Sequence, residues 1–377
     1  MVKNKKLLVL ILDAFSDRYL KYAYYLSKLR NENFYSTLKP LFAYEGIRTA
    51  ILTGLDTRKS GIWHDKVFIP KGRKALKLSF LKFFTAFFDR LSPTDDINKK
   101  LRFLLYKILR EDYGTPHLIP AKYLEYFATH KHEYKNIPDL FQILSKSGVK
   151  AVWVEPKLMS LEGRALRGML KLFEKQDLVI LKLNSLDRLG HKYGPLSNEV
   201  RQRVEYLDRA VEETINTLQA RLENMSFIIM SDHGMIPVEK FINIEKLMIE
   251  ETSIRPLIDY IPYIGSTFAS FFILNKKAEN IIYKMLQGLG SYGRILEEYD
   301  LNMLGINKEL YGHIIFALNE GVVFFPNFFQ RRNIPKGMHG YAFAEYDSAV
   351  FIASGIREIY DPLRFSSIFK IILKNLE

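Results

Sequence analysis

The sequence predicts an α/β fold: a doubly wound, mainly parallel central sheet with helices on both faces, plus an inserted helical cap. Three observations predict it. Continuous apolar runs such as "KKLLVLILDAF" and "DLVILKLNS" have the pattern of strands buried on both faces. These runs alternate with amphipathic stretches of helical period. Several of them end on an acidic residue, and open α/β sheets bind ligands outside the carboxyl ends of their strands.

In chain order, "KKLLVLILDAF" is the first strand and closes on Asp13. "KYAYYLSKL" and "GIRTAILTG" read as helices, the second closed by Gly54 at its C-cap. "DRLSPTDD" breaks the following basic, aromatic region into two helical pieces. The alternation returns with the helix "IPDLFQILSKSG" and the strand "VKAVWVEP". The helix "SLEGRALRGMLKLFEKQ", the strand "DLVILKLNS" and the long helix "SNEVRQRVEYLDRAVEETINTLQARL" come next. "SFIIMSDHG" is a further strand. From 240 to 336 the rhythm loosens into an α+β subregion with strands "STFASFFIL" and "GHIIFAL". "GMHGYAFAEYDSAVFIASG" is a loop leading into a late strand. The expected organisation is one catalytic domain of 1–65 and 135–377, interrupted by a cap of 66–134.

A chain of 377 residues, 48% hydrophobic and 26% charged, has the composition of a globular protein. It has no cysteine, which excludes disulfides, thiolate metal sites and a cysteine nucleophile. The apolar run Leu7–Leu12 is short for the core of a secretory leader, and no apolar stretch reaches the length of a membrane span. The expected address is cytoplasmic. The net charge of +13 points to anionic partners. Lys66–Arg110 alone holds 12 Lys/Arg against three Asp, with eight aromatics that include "FLKFFTAFF". Three readings of that segment stand: a packed cap with aromatics inside, a lid over an anionic substrate, or an amphipathic segment on a membrane surface. The last would suit a lipid-linked phosphodiester. Nucleic acid ranks last, because no reader motif accompanies the charge.

Metal-type ligands gather at the strand ends. Asp13 follows the first strand, and "LDRLGHKYGP" carries Asp187 and His191 at i, i+4. "SDHG" gives Asp232 and His233, and "GMHGY" gives His339. Singly, a strand-end Asp is more often a cap or an ion-pair partner. Together, three carboxylates and three imidazoles at one sheet edge match two divalent ions with open positions for substrate. Two ions about 4 Å apart can clamp the attacking and leaving oxygens of a displacement at phosphorus.

Asp13, "TG" at Thr53–Gly54, "DRLGHKYGP", "SDHGM" and "GMHGY", in this order, resemble the alkaline phosphatase superfamily, and within it the type I phosphodiesterase/nucleotide pyrophosphatase branch. "LDAFSDRYL" is similar to that branch's Asp-Gly-Phe-Arg opening, with Ala14 for the glycine. "LTGLDTRKSGIW" is similar to its Thr-Gly…Pro…His-Gly-Ile stretch, with Thr57 for the proline and Ser60 for the histidine. The resemblance implies an alkaline phosphatase-like catalytic domain. It implies one ion held by Asp13, Asp232 and His233 and another by Asp187, His191 and His339. It also implies zinc first, with manganese or magnesium as alternatives.

The departure is at the nucleophile. Relatives carry Ser or Thr nine residues before the threonine of Thr-Gly, and here that position is Tyr44, beside Glu45. Four alternatives stand. Tyr44 attacks, its phenol acidified by a nearby dication. Glu45 or Tyr44 positions an attacking water. Thr49 serves instead. Or the protein binds without turnover. Arg48 is either a phosphate clamp or a helix-surface charge. The implied function is a two-metal hydrolase of phosphodiesters or pyrophosphates. A silent metal-dependent binder of phosphorylated ligands, or a sulfatase or phosphotransferase variant, is the alternative.

Overall fold

The structure, a computed structural model, describes residues 5–43, 46–64, 66–72, 78–109, 117–129, 137–345, 348–359 and 363–376. The chain forms two compact units. The first takes 1–56, 133–237 and 344–377, and the second takes 57–132 and 238–343.

A six-stranded sheet builds the first unit. Its strand order is Phe34–Leu38, Ala349–Ser354, Met225–Met230, Lys6–Leu12, Leu178–Leu183 and Ala151–Val154. Lys6–Leu12 is parallel to both of its neighbours, and Ala349–Ser354 runs antiparallel to both of its own. The first strand lies inside the sheet because both of its faces are apolar. Leu8, Leu10 and Leu12 enter one core, while Leu7, Val9 and Ile11 enter the other. Each such side chain stabilises the fold by about 2 kcal/mol.

Helices cover both faces, as the sequence predicts. Asn198–Arg221 buries Val200, Val204, Leu207, Val211, Ile215 and Leu218, a stripe of helical period on the first core. The Ser197 side chain caps its N-terminus by accepting the Val200 N–H. Ile47–Thr53, Leu140–Lys146 and Phe365–Leu376 cover the opposite face. Gly54 closes the first of these with φ 71°, donating its N–H to the Ala50 carbonyl. A Cβ there would also lie 2.8 Å from Phe369. Glycine fits both demands.

The second unit has an antiparallel four-stranded sheet, ordered Tyr260–Ile264, Phe268–Ile273, Ile314–Leu318 and Gly293–Ile295. An antiparallel pair, Lys66–Phe68 with Phe127–Thr129, shares its aromatic core: Phe68 stacks on Phe272 at 3.9 Å, and Phe127 meets Tyr263 at 5.4 Å. The sequence expectation separated a 66–134 cap from a 240–336 subregion. The structure joins segments of both in one compact unit, because these rings bury each other.

Two packed helices, Leu78–Leu91 and Asp95–Leu109, complete this unit. Their aromatics do not all point inward. Leu81 and Thr85 are buried, but Phe83 is 66% exposed, with Phe80 and Phe87 exposed beside it. Among the described residues no helix is long and apolar enough to cross a membrane.

Candidate metal centre

Three parallel strands of the first unit end side by side. The register pairs Ile11 with both Lys182 and Met230. Side chains alternate between faces, so Lys182, Asp13 (two past Ile11) and Asp232 (two past Met230) fall on one face at the carboxyl edge. The contacts agree. Lys182 Nζ lies 3.0 Å from Asp13 Oδ2 and 2.7 Å from Asp232 Oδ2. Asp232 Oδ1 accepts the N–H of Ala14 at 3.3 Å and of His233 at 3.2 Å.

The His233 ring is fixed by its neighbour. Nδ1 lies 2.8 Å from the Gly234 carbonyl and donates to it, which turns Nε2 toward the site. Nε2 is 3.3 Å from Asp13 Oδ1, a buried oxygen that receives no hydrogen bond among the described residues. A shared proton or a metal cation between the two atoms would satisfy both.

Asp187 and His191 sit one turn apart on the helix Ser185–Tyr193, with Oδ1 and Nε2 3.2 Å apart. Buried Glu162 holds the start of that helix. It accepts the Ser185 N–H at 2.9 Å and the Ser185 hydroxyl at 2.6 Å, and it pairs with Arg203. Ligand atoms of Asp13, Asp187 and His233 all lie within 4.8 Å of one another. This set of carboxylates and an imidazole fits a divalent ion.

The charges do not balance without one. A single ammonium faces two buried carboxylates. Burial and the Asp232 charge push Asp13 up to about 7, against the pull of Lys182. Burial alone would raise Asp232 too, but Lys182 and His233 outweigh it and hold that carboxyl below the usual range. The hydrogen bonds explain the split: Asp232 collects two backbone N–H groups and the ammonium, so it is the ionised partner. Burial works against the Lys182 charge, yet Asp13 and Asp232 keep it well above the ordinary lysine value.

The sequence profile of the family described as "Type I phosphodiesterase / nucleotide pyrophosphatase" matches residues 7–341. The chain belongs to this family. Among curated proteins, ectonucleotide pyrophosphatase/phosphodiesterase family member 7 of Homo sapiens is 46% identical over 72 residues, which is 18% of this chain and 15% of that protein. The Rattus norvegicus counterpart is 37% identical over 76 residues, 19% of this chain and 17% of that protein. The matched stretches thus span under a fifth of those relatives. Among solved structures, murine ectonucleotide pyrophosphatase/phosphodiesterase 5, as an inactive variant in complex with AMP, superposes with a TM-score of 0.68 at 15% identity. It covers 99% of this chain and 95% of its own. The human protein 5 structure gives the same values. At that identity the likeness is one of fold.

In family terms, the structure brings together Asp13, Asp232 and His233, with Asp187 in reach of Asp13 and His233 and with His191 beside Asp187. His339 belongs to the second unit, buried directly after Gly337–Met338. Tyr44 and Glu45 lie outside the described residues. Arg48 is exposed, its guanidinium 4.7 Å from the Trp153 ring centroid, and Thr49 is buried in the first turn of Ile47–Thr53. Ala14, where this branch has glycine, adopts φ 62°, a left-handed conformation that strains any side chain. The sequence reading did not single out Lys182. Its signal was a lysine inside a strand otherwise apolar, which must find carboxylates on folding.

Proposed function

We propose that the chain is a two-metal hydrolase of phosphodiesters or pyrophosphates, acting by in-line attack at phosphorus. The observation that carries this is the meeting of Asp13, Asp187, Asp232 and His233 at one sheet edge, in a chain of this family. Asp13, Asp232 and His233 would hold one ion; the resemblance implies Asp187, His191 and His339 for the other. Zinc, or manganese or magnesium in its place, would supply Lewis acidity toward phosphoryl oxygens when bound. The Tyr44–Glu45 pair provides the attack, the phenol directly or the carboxylate by orienting water. A nucleotide-type substrate is supported by the net charge of +13 and by the AMP held in the murine relative.

The test is release of nitrophenol from a bis(nitrophenyl) phosphate by zinc-loaded protein, abolished by Asp232→Ala. A phosphoryl adduct trapped on Tyr44 would assign the attack to the phenol, and Tyr44→Phe would then be inactive. Loss of turnover in Glu45→Gln without any adduct would assign it to water. Zinc-loaded protein that binds AMP but consumes no phosphodiester, pyrophosphate, monoester or sulfate refutes the hydrolase in favour of a binding protein. Turnover of sulfate esters alone would make it a sulfatase variant.

We further propose work at a lipid surface, on the cytoplasmic side that the sequence leads us to expect. Phe80, Phe83, Phe87 and Leu91 form one exposed stripe, and the next helix exposes Phe103, Leu104 and Ile108. Exposed Arg90, Lys100 and Lys107 accompany them. An apolar face with basic residues matches anionic headgroups over acyl chains, and would bring a lipid-linked phosphodiester to the enzyme. Cosedimentation with anionic vesicles, lost in the double variant Phe83→Glu/Phe87→Glu, is expected. Equal sedimentation of both proteins would refute it.

A further inference from the structure

Lys182 is the single charged residue in the strand Leu178–Leu183, and its ammonium lies between Asp13 Oδ2 and Asp232 Oδ2 at 3.0 and 2.7 Å. Both aspartates belong to the set assigned to one ion. The other oxygen of Asp232 is already taken by the backbone N–H groups of Ala14 and His233. An ion bonded to both aspartates would need oxygens at about 2.0–2.2 Å. Each oxygen keeps a second lone pair for the ammonium, but the ion would then lie within a few ångströms of the Lys182 charge, and the like charges repel.

We infer that Lys182 is a built-in competitor for the ion of the Asp13–Asp232 pair, so that the two ions bind with unequal strength. The inference rests on the two-metal reading and goes beyond it. Asp187 and His191, assigned to the other ion, include neither carboxylate that Lys182 touches. The chain therefore takes one divalent ion readily. A cation that needs Asp232 enters only as Lys182 swings out, and the lysine side chain, 23% exposed, has solvent to swing into. Lys182 is a positioning residue here: with the ion absent it holds the two carboxylates in register.

The experiment is zinc titration of chelator-treated protein, with bound zinc per chain read by equilibrium dialysis and elemental analysis. The wild type is expected to fill in two unequal steps. Lys182→Met is expected to tighten the second step by about tenfold, through loss of the ammonium's repulsion; a weakened second step would make Lys182 a support of the ligands and overturn the inference. Two equal steps in the wild type, or a second step unchanged in Lys182→Met, overturn the inference while the two-metal reading stands. Zinc on neither protein overturns both. Should Lys182→Met fail to fold, acetylation of the wild type by acetic anhydride decides the matter. Modification of Lys182, read by peptide mass spectrometry, should rise as zinc saturates. Modification that does not change with zinc overturns the displacement.

Discussion

Replacing Asp13 by Asn tests the charge imbalance directly. In the folded protein the Asp13 carboxyl titrates at about 7, against an ordinary value of 3.8. The gap of about 3 units corresponds to about 4 kcal/mol at about 1.36 kcal/mol per unit. The folded state holds the proton more tightly than the unfolded chain does. The stability contributed by protonated Asp13 is therefore fully present below about 3.8 and drains away as pH rises toward about 7. Asp232, whose carboxyl is held below the usual range, contributes in the opposite sense. Its stability is present above 3.8 and lost only in stronger acid, outside this window. Asparagine imitates the protonated carboxyl at every pH. In EDTA, Asp13→Asn and wild type should match near pH 4, and the variant should be more stable by about 4 kcal/mol at pH 8. Guanidinium unfolding followed by fluorescence of Trp153, on the same sheet, reads this across the pH range. Parallel profiles for the two proteins would refute the placement of the proton on Asp13. Excess zinc should narrow this gap at pH 8, since an ion bound only to the folded wild type adds about 2.7 kcal/mol at 100 times Kd.

Three further outcomes follow from the same coordinates. Ala14→Gly should stabilise the protein by about 0.5–1 kcal/mol in denaturant titration, because glycine relieves φ 62° without losing the N–H given to Asp232. Gly54→Ala should destabilise it by about 1 kcal/mol or more, since φ 71° and the 2.8 Å approach to Phe369 both oppose a methyl group; an unchanged unfolding midpoint would contradict this. Glu162→Ala should cost about 3–5 kcal/mol, by leaving Arg203 without its buried partner. It should also weaken zinc binding, because Glu162 anchors the helix that carries Asp187 and His191; unchanged zinc affinity would show that this anchor is not needed by the site.

Much of the site was legible because strand ends are easy to find. Asp13, Asp232 and His233 each follow an apolar run, and the i, i+4 spacing of Asp187 and His191 puts both on one helix face. What was not legible depends on pairing between distant segments. Phe34–Leu38 is a half-exposed strand whose Ser36 and Thr37 hide any apolar alternation. The strands Lys66–Phe68 and Phe127–Thr129 are three residues each, too short for a period, so nothing in the sequence tied 66–134 to the sheet of the second unit. In "FLKFFTAFF" the rings recur at i, i+3, i+4 and i+7 and share one broad face, yet it is Leu81 and Thr85 on the other side that are buried.

Lys182 shows most clearly why register matters to function. Read along the chain, it is a polar interruption near the end of a strand. Read across the sheet, it stands opposite Ile11, two residues below Asp13 and on its face. Its single positive charge cannot neutralise two buried carboxylates, so one of them keeps a proton until something more highly charged arrives. A divalent ion answers that deficit better than a lysine does. The same geometry that makes the site attractive to an ion also makes the ammonium its rival.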